Sequence, residues 1–139
     1  MAIKYILDTS VAIKWFSRED ETDLDQAGKL LHKLTIGEIE IYTLYFLLIE
    51  LANALMMGKK MSAAKTTESC HLLQTTPIKF IHLNSGIIDK AAKLAERYRL
   101  TIYDGLYLAL ATDYKAKLIT ADKKLLALAE LTVSLEKYH

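Results

Sequence analysis

Four acidic residues stand out because each falls at a conspicuous place in the hydrophobic pattern of this 139-residue chain. Asp8 and Asp122 directly follow short apolar runs, Asp104 lies near the start of an apolar stretch, and Glu50 is the single charge in the apolar stretch 41–57. Because an isolated charge is costly to bury, such carboxylates must be protonated, paired or given a cation. If the four acids share one cleft, their all-oxygen ligand set favours Mg²⁺ or Mn²⁺ over zinc. Ions of this kind activate water and neutralise phosphate oxygens, so the pattern points to hydrolysis of a phosphodiester.

Each acid also has an explanation that involves no chemistry. Asp8 and Asp122 can simply end a strand or cap the following helix. Asp104 is the fourth residue of Thr101-x-x-Asp104, which is close to a capping box and suits the helix dipole. Glu50 can be one half of a buried salt bridge. These explanations stay open for each acid taken alone, and it is the combination of four that favours a cation site.

The elements that must position these acids follow from the spacing of the apolar residues. Short apolar runs predict five strands, and apolar residues at helical spacing predict helices between them. The predicted strands are 4–7, 40–43, 79–83, 117–121 and 133–135. The predicted helices are 11–16, 22–35, the remainder of 41–57 as far as Gly58, 62–74, 85–98, 101–114 and 123–130. Strands that alternate with helices predict a parallel α/β sheet with helices on both faces.

Two of the acids lie where sheets of this kind bind ligands. Asp8 follows the first predicted strand and Asp122 follows the fourth. Ligands of open parallel sheets bind beyond the carboxyl ends of the strands, so both acids are well placed for a site. Ser10 is expected to cap the short helix that follows the first strand.

Composition and charge narrow the classes of function. The formal net charge is +1, from 18 basic and 17 acidic residues, which excludes a protein that holds nucleic acid by charge alone. The one cysteine, Cys70, excludes an internal disulfide. The N-terminal residues do not have the pattern of a signal peptide, and the stretch 41–57 is short for a membrane span and carries Glu50 near its middle. We therefore expect a single cytoplasmic domain over residues 1–139 with no membrane segment.

Four sequence blocks, taken in order, resemble the PIN domain, a metal-dependent ribonuclease fold. Within that group the chain is most similar to the VapC-type toxins of bacterial and archaeal toxin–antitoxin pairs. The blocks are ILDTSVAIKWF at 6–16, the pair Glu50-x-x-Asn53, TIYDGLYLALA at 101–111 and LITADKKL at 118–125. The resemblance implies a three-layer α/β/α sandwich with a central, mostly parallel sheet of four to five strands. Two departures are Gly105, where the family usually has Ala and which is expected to loosen that helical turn, and TDYKAK, which lacks a glycine often found there.

The resemblance also assigns roles to the acids. It implies that Asp8, Glu50, Asp104 and Asp122 are the catalytic residues. Asp8, Asp104 and Asp122 would hold Mg²⁺ or Mn²⁺, and Glu50 would bind the ion directly or through water.

Further polar residues receive supporting roles from the same resemblance. Ser10 would orient Asp8 or a water molecule, and Thr120 would supply a second hydroxyl behind the ligands. Asn53, one helical turn from Glu50, would steer that carboxylate. Lys14 would contact an RNA phosphate, although a lysine whose stem lies on the surface with its charge in water is the alternative.

The function implied is a Mg²⁺/Mn²⁺-dependent endoribonuclease that acts as a toxin and is neutralised by a protein antitoxin. A homodimer is also expected, and Tyr45, Leu48 and Met56 are candidates for contact with a second copy or the antitoxin. Two other functions remain open. One is a non-catalytic PIN-like module that binds RNA or protein. The other is an α/β phosphatase with Asp8 as nucleophile, but such chemistry generally needs a second acid two residues later, where this chain has Ser10.

Overall fold

A computed structural model, which describes residues 2–139, contains a five-stranded sheet in which every strand pair is parallel. The strands are β1 (Ile3–Leu7), β2 (Ile39–Leu44), β3 (Lys79–Ile81), β4 (Lys117–Thr120) and β5 (Thr132–Ser134). Their order across the sheet is β3-β2-β1-β4-β5. Because β1 is central and pairs with β4, the carboxyl ends of these two strands lie side by side.

Seven α-helices in the described residues complete the architecture: α1 (Thr9–Ala12), α2 (Leu24–Thr35), α3 (Phe46–Asn53), α4 (Ala63–Thr75), α5 (Ser85–Tyr98), α6 (Ile102–Tyr114) and α7 (Lys123–Leu126). Successive side chains of a strand point to opposite faces, and both Ile6 and Leu7 of β1 are fully buried. Both faces of the sheet are therefore covered, as is usual for a parallel sheet. The predicted α/β/α sandwich with a central parallel sheet is confirmed.

The helix predicted over 11–16 is observed as α1, which begins earlier, followed by a 3₁₀-helix over Ile13–Trp15. Two further predicted helices differ from the observed ones. The helix predicted over 123–130 ends at Leu126, because the chain turns back so that the Leu131 carbonyl can accept from the Leu118 N–H, 2.9 Å away. In the stretch 41–57, the regular helix α3 ends at Asn53 and a wider π-helical turn covers Ala54–Gly58. After Leu126, pairing with the sheet therefore overrides the helical spacing of the apolar residues. In Ala54–Gly58, a wider hydrogen-bonding pattern replaces the α-helical one.

Residues 2–139 contain no helix that is both long and apolar enough to cross a membrane.

Gly105 has a packing reason that the sequence did not show. It lies in the first turn of α6, where a Cβ atom would be 2.5 Å from the carbonyl oxygen of Ala91 on α5. Residues 105–111 of α6 are all buried, so this helix cannot easily move away. Glycine is thus the residue that lets α5 and α6 approach this closely, and the expectation that it merely loosens the turn was incomplete.

We predict that Gly105→Ala destabilises the protein, although alanine is the better helix former. The clash with a backbone carbonyl should cost about 1–3 kcal/mol, which exceeds the gain of up to ~1 kcal/mol in helix propensity. Urea unfolding measures the difference. Gly28→Ala in α2 is the matched control, because its Cβ would meet nothing within 4 Å, and it should be stabilising. A Gly105→Ala protein as stable as the wild type would contradict the packing argument.

Candidate active site

Asp8 lies at the carboxyl end of the central strand, and its side chain is held from two sides. Its backbone N–H donates to the carbonyl of Ile119 at 3.3 Å, which continues the pairing of β1 with β4. The carboxylate is buried and its Oδ2 accepts hydrogen bonds from Ser10 Oγ and Thr120 Oγ1, each at 2.7 Å. Ser10 and Thr120 therefore both hold the Asp8 carboxylate.

The surroundings of Asp8 disfavour its negative charge. Burial is the main cause that raises its pKa to about 6, and the two hydroxyl donors offset only part of this effect. The charges of Asp104 and Glu50 raise the same pKa further. Three carboxylates from separate parts of the sequence therefore act on one another in a single electrostatic neighbourhood.

The two hydroxyls that bind Asp8 also tie the strand ends together. Ser10 Oγ accepts from the N–H of Ala121 at 3.0 Å, and Thr120 Oγ1 accepts from the N–H of Asp122 at 3.0 Å. Ser10 was predicted to cap the first helix, but it does not. Helix α1 already begins at Thr9, so the hydroxyl of Ser10 lies inside the first turn and reaches across to β4 instead.

Glu50 projects from α3 and is held by two residues that sequence reasoning missed. Its Oε1 accepts a hydrogen bond from Thr9 Oγ1 at 3.0 Å and another from the hydroxyl of Tyr107. Asn53, which was predicted to steer Glu50, makes no hydrogen bond to it within residues 2–139. Tyr107 could have been found, since it lies three residues after Asp104 and therefore on the same side of α6.

The Tyr107 hydroxyl is suited to act as a permanent donor to Glu50. The side chain is almost fully buried, and burial followed by the charge of Glu50 raises its pKa well above the usual range. It consequently stays protonated in the folded protein and can only help to fix the Glu50 carboxylate.

If the acids of this site cleave RNA, as the family resemblance implies, Tyr107→Phe should lower the cleavage rate about tenfold by releasing Glu50. A hydrogen bond to a charged group is worth about 1.5–3 kcal/mol, and 1.4 kcal/mol corresponds to a factor of ten in rate. Single-turnover cleavage of an RNA substrate measures the effect. Tyr5→Phe is the control, because Tyr5 packs edge-on against Tyr138 rather than bonding to Glu50. Equal rates for the two variants would show that Tyr107 does not position Glu50.

Asp104 and Asp122 complete the set of four. Asp104 lies in the first turn of α6, and its backbone N–H donates to Thr101 Oγ1 at 3.1 Å, which caps the helix. Burial raises the pKa of Asp104, and the charge of Asp122 raises it further. Asp122 uses Oδ1 to accept from the Lys124 N–H at 2.9 Å, so it does cap α7. Capping accounts for one oxygen of Asp122 but not for its repulsion of Asp104.

Lys14 is not available for RNA in this structure. It is buried rather than exposed, and its ammonium group donates to Glu21 Oε1 at 3.0 Å and to the Thr22 carbonyl at 2.7 Å. Glu21 also pairs with Lys59 at 2.7 Å. Burial alone would raise the pKa of Glu21, but hydrogen bonds from both lysines hold that pKa below its usual range. Lys14 thus anchors the loop before α2. This buried position agrees neither with the predicted contact to an RNA phosphate nor with the alternative of a surface lysine whose charge lies in water.

The four acids fit a hard divalent cation by the chemistry of their atoms rather than by a preformed cluster. Among residues 2–139, no three His, Cys, Asp or Glu side chains are grouped closely enough to hold a metal ion as they are placed. However, Asp8, Glu50 and Asp122 share one feature. In each side chain, only one of the two carboxylate oxygens accepts hydrogen bonds from the protein. The second oxygen of each carries no hydrogen bond within the described part of the chain. An all-oxygen set of this kind suits Mg²⁺ or Mn²⁺.

Comparisons with known proteins agree with this architecture. The chain is 25% identical to ribonuclease VapC3 of Pyrobaculum aerophilum over 127 residues, which cover 88% of this chain and 92% of that protein. Its fold is similar to that in a toxin–antitoxin complex from Klebsiella pneumoniae, with a TM-score of 0.71, 20% identity and coverage of 94% and 97% of the two chains. It is also similar to VapC20 of Mycobacterium tuberculosis, a toxin that cleaves the sarcin–ricin loop, with a TM-score of 0.72, 13% identity and coverage of 89% and 94%. Residues 5–131 match the PIN domain, and this chain therefore belongs to the PIN domain family.

Proposed function

We propose that this protein is a Mg²⁺- or Mn²⁺-dependent endoribonuclease and the toxin of a toxin–antitoxin pair. The observation that carries the proposal is that hydrogen bonds bring three of the acids together at the ends of β1 and β4. Thr120 Oγ1 donates to Asp8 and accepts from the N–H of Asp122, and Thr9, next to Asp8 in the chain, donates to Glu50. The charge of Asp122 also raises the pKa of Asp104. A protein keeps like charges together in a partly buried site when it has a cation to neutralise them or a reaction that uses them. The similarity to VapC3, whose name describes a ribonuclease, supports RNA as the substrate.

The proposed roles follow from where each carboxylate is fixed. Asp8, Asp104 and Asp122 hold the ion, and Glu50 binds it directly or through water. When bound, the ion activates water and neutralises charge on the phosphate. Ser10 and Thr120 hold Asp8 through Oδ2, which leaves Oδ1 free to bind the ion, and Thr9 and Tyr107 hold Glu50 through Oε1 in the same manner.

Cleavage of RNA by the purified chain tests this function. We expect phosphodiester hydrolysis with Mg²⁺ or Mn²⁺, none in excess EDTA, and recovery when the ion is added back. Product ends should carry 5′-phosphate and 3′-hydroxyl groups, as the family resemblance implies. Undiminished cleavage in EDTA would show that the carboxylates act without a metal.

A non-catalytic PIN-like module that binds RNA or protein is the second candidate. It is favoured by the absence, within residues 2–139, of acids already grouped as metal ligands. The same assay separates the two functions, because a binding module would retain RNA without cutting it at any Mg²⁺ or Mn²⁺ concentration.

The toxin role requires partner surfaces, and we propose that the start of α3 and the π-helical turn after it provide one. Tyr45 and Met56 are exposed there, whereas Leu48 is partly buried against the core and contributes less than its sequence position suggested. We propose that this surface binds a second copy of the chain or the antitoxin. We also propose that residues 1–139 form a single PIN domain that acts in the cytoplasm. Hydrogen exchange with and without the antitoxin should show protection at this surface.

A further inference from the structure

An open cavity of about 340 Å³ lies directly beside Glu50. Its lining residues are Phe46, Ile49, Glu50, Asn53 and Tyr103. The rings of Phe46 and Tyr103 stack almost parallel, with centroids 5.4 Å apart and planes inclined by 8°. Tyr103 is 51% exposed, although it lies only two residues before the buried part of α6. We call this cavity the aromatic pocket.

We propose that the aromatic pocket binds one nucleobase of the RNA substrate, stacked on the Tyr103 ring, beside the phosphodiester that is cut. The inference rests on the proposed function, since it names the part of the substrate that lies next to the acids. A half-exposed aromatic ring presents a flat apolar face, and any nucleobase can stack on such a face. Protein recognition of single-stranded RNA commonly uses stacking of this kind.

The chemistry of the walls favours a base over a phosphate. No lysine or arginine is among the five lining residues, and Glu50 would repel a phosphate group. Asn53 is exposed in the pocket wall, and its amide offers both a donor and an acceptor to the edge of a base. Asn53 does not contact Glu50, so its predicted steering role has no support, and contact with the edge of a base is the role that its position in the pocket offers.

The location limits which base can enter. Glu50 lines the pocket and accepts a hydrogen bond at 3.0 Å from Thr9, the residue directly after Asp8. Tyr103 is the neighbour of Asp104 in the chain. A base in the pocket therefore belongs to a nucleotide adjoining the scissile phosphate, and the pocket would contribute to the choice of cleavage site.

Fluorescence of 2-aminopurine tests the proposal without requiring cleavage. The base is placed at successive positions of a short oligoribonucleotide, which is titrated with Asp8→Asn protein in Mg²⁺ so that the RNA stays intact. We expect quenching at one position. Tyr103→Leu in the same background should abolish that quenching and weaken binding about tenfold, whereas Tyr103→Phe should retain both. Tyr114→Leu is the matched control, because Tyr114 also lies on α6 and packs against an aromatic ring, that of Tyr42, but does not line the pocket.

The outcomes separate this proposal from the proposed function. If the wild type cuts no RNA but quenching depends on Tyr103, the pocket stands and the ribonuclease proposal fails. If RNA is cut and Tyr103→Leu changes neither quenching, affinity nor cleavage position, the pocket proposal alone is overturned. It is equally overturned if neither protein binds the oligoribonucleotide, or if Tyr103→Leu weakens only the binding of a protein partner.

Discussion

Asp8→Asn is expected to lower RNA cleavage by at least about a thousandfold while leaving the protein folded. Asparagine has the same shape, and its carbonyl oxygen can still accept from Ser10 and Thr120 in place of Oδ2. What it lacks is the negative charge that the proposed ion requires. Loss of about 4 kcal/mol of electrostatic stabilisation corresponds to a factor of a thousand in rate. Single-turnover cleavage in Mg²⁺, with circular dichroism to confirm the fold, measures the effect.

Asp113→Asn serves as the matched control for this experiment. Asp113 is likewise an aspartate, but it lies on α6 and pairs with Lys90 on α5 rather than with the group around Asp8. Its replacement should leave cleavage within about twofold, because a surface ion pair contributes ~1 kcal/mol or less to stability and nothing to the reaction. Asp8→Asn protein that cleaves as fast as this control would remove Asp8 from the mechanism.

Metal-free protein is expected to lose stability as the pH rises from about 4 to 6. The folded-state pKa of Asp8 is about 6, above the ordinary value of 3.8, so the folded protein binds this proton more tightly than the unfolded chain does. The stability contribution is therefore fully present below pH 3.8 and is lost as the pH passes 6. The full loss from Asp8 is about 3 kcal/mol, and Asp104, whose pKa is also raised, changes stability in the same direction.

Urea unfolding in EDTA at a series of pH values measures this loss. Glu21 has a lowered pKa and contributes with the opposite sign, so the wild type is compared with Asp8→Asn at each pH. The variant should become the more stable of the two above pH 6, because its neutral amide avoids the cost of burying a charge. A constant stability difference between the proteins from pH 4 to 7 would show that the Asp8 charge is not disfavoured by burial.

The fold was accessible from the sequence because its strongest signals are local. Ile6 and Leu7 form a run without alternation, as expected for a strand covered on both faces, and the helix over 85–98 begins and ends where its apolar spacing predicted. The errors came from long-range effects. Residues 127–130 keep a helical pattern, but the chain there must turn so that Leu131 can pair with Leu118 on β4.

The candidate site was predictable in its charges but not in its supports. Asp8 and Asp122 stood out because each interrupts a buried run at a strand end. Thr9 and Tyr107 did not, since a hydroxyl beside other polar or aromatic residues gives no signal until the fold brings it to Glu50 across 41 and 57 residues of chain. The pairing of Lys14 was not predicted for a related reason. Its partner Glu21 lies in a loop whose path the spacing of apolar residues does not determine.

Mn²⁺ binding followed by the electron paramagnetic resonance signal of the free ion tests most directly whether the four acids share one cation. The titration compares the wild type with Asp8→Asn, Glu50→Gln, Asp104→Asn, Asp122→Asn and the control Asp113→Asn. We predict that the wild type and the control bind Mn²⁺ alike and that each of the other three aspartate variants binds it at least about tenfold more weakly, with a smaller loss for Glu50→Gln if its contact is through water. Equal Mn²⁺ affinity of the wild type and Asp8→Asn would contradict a shared metal site.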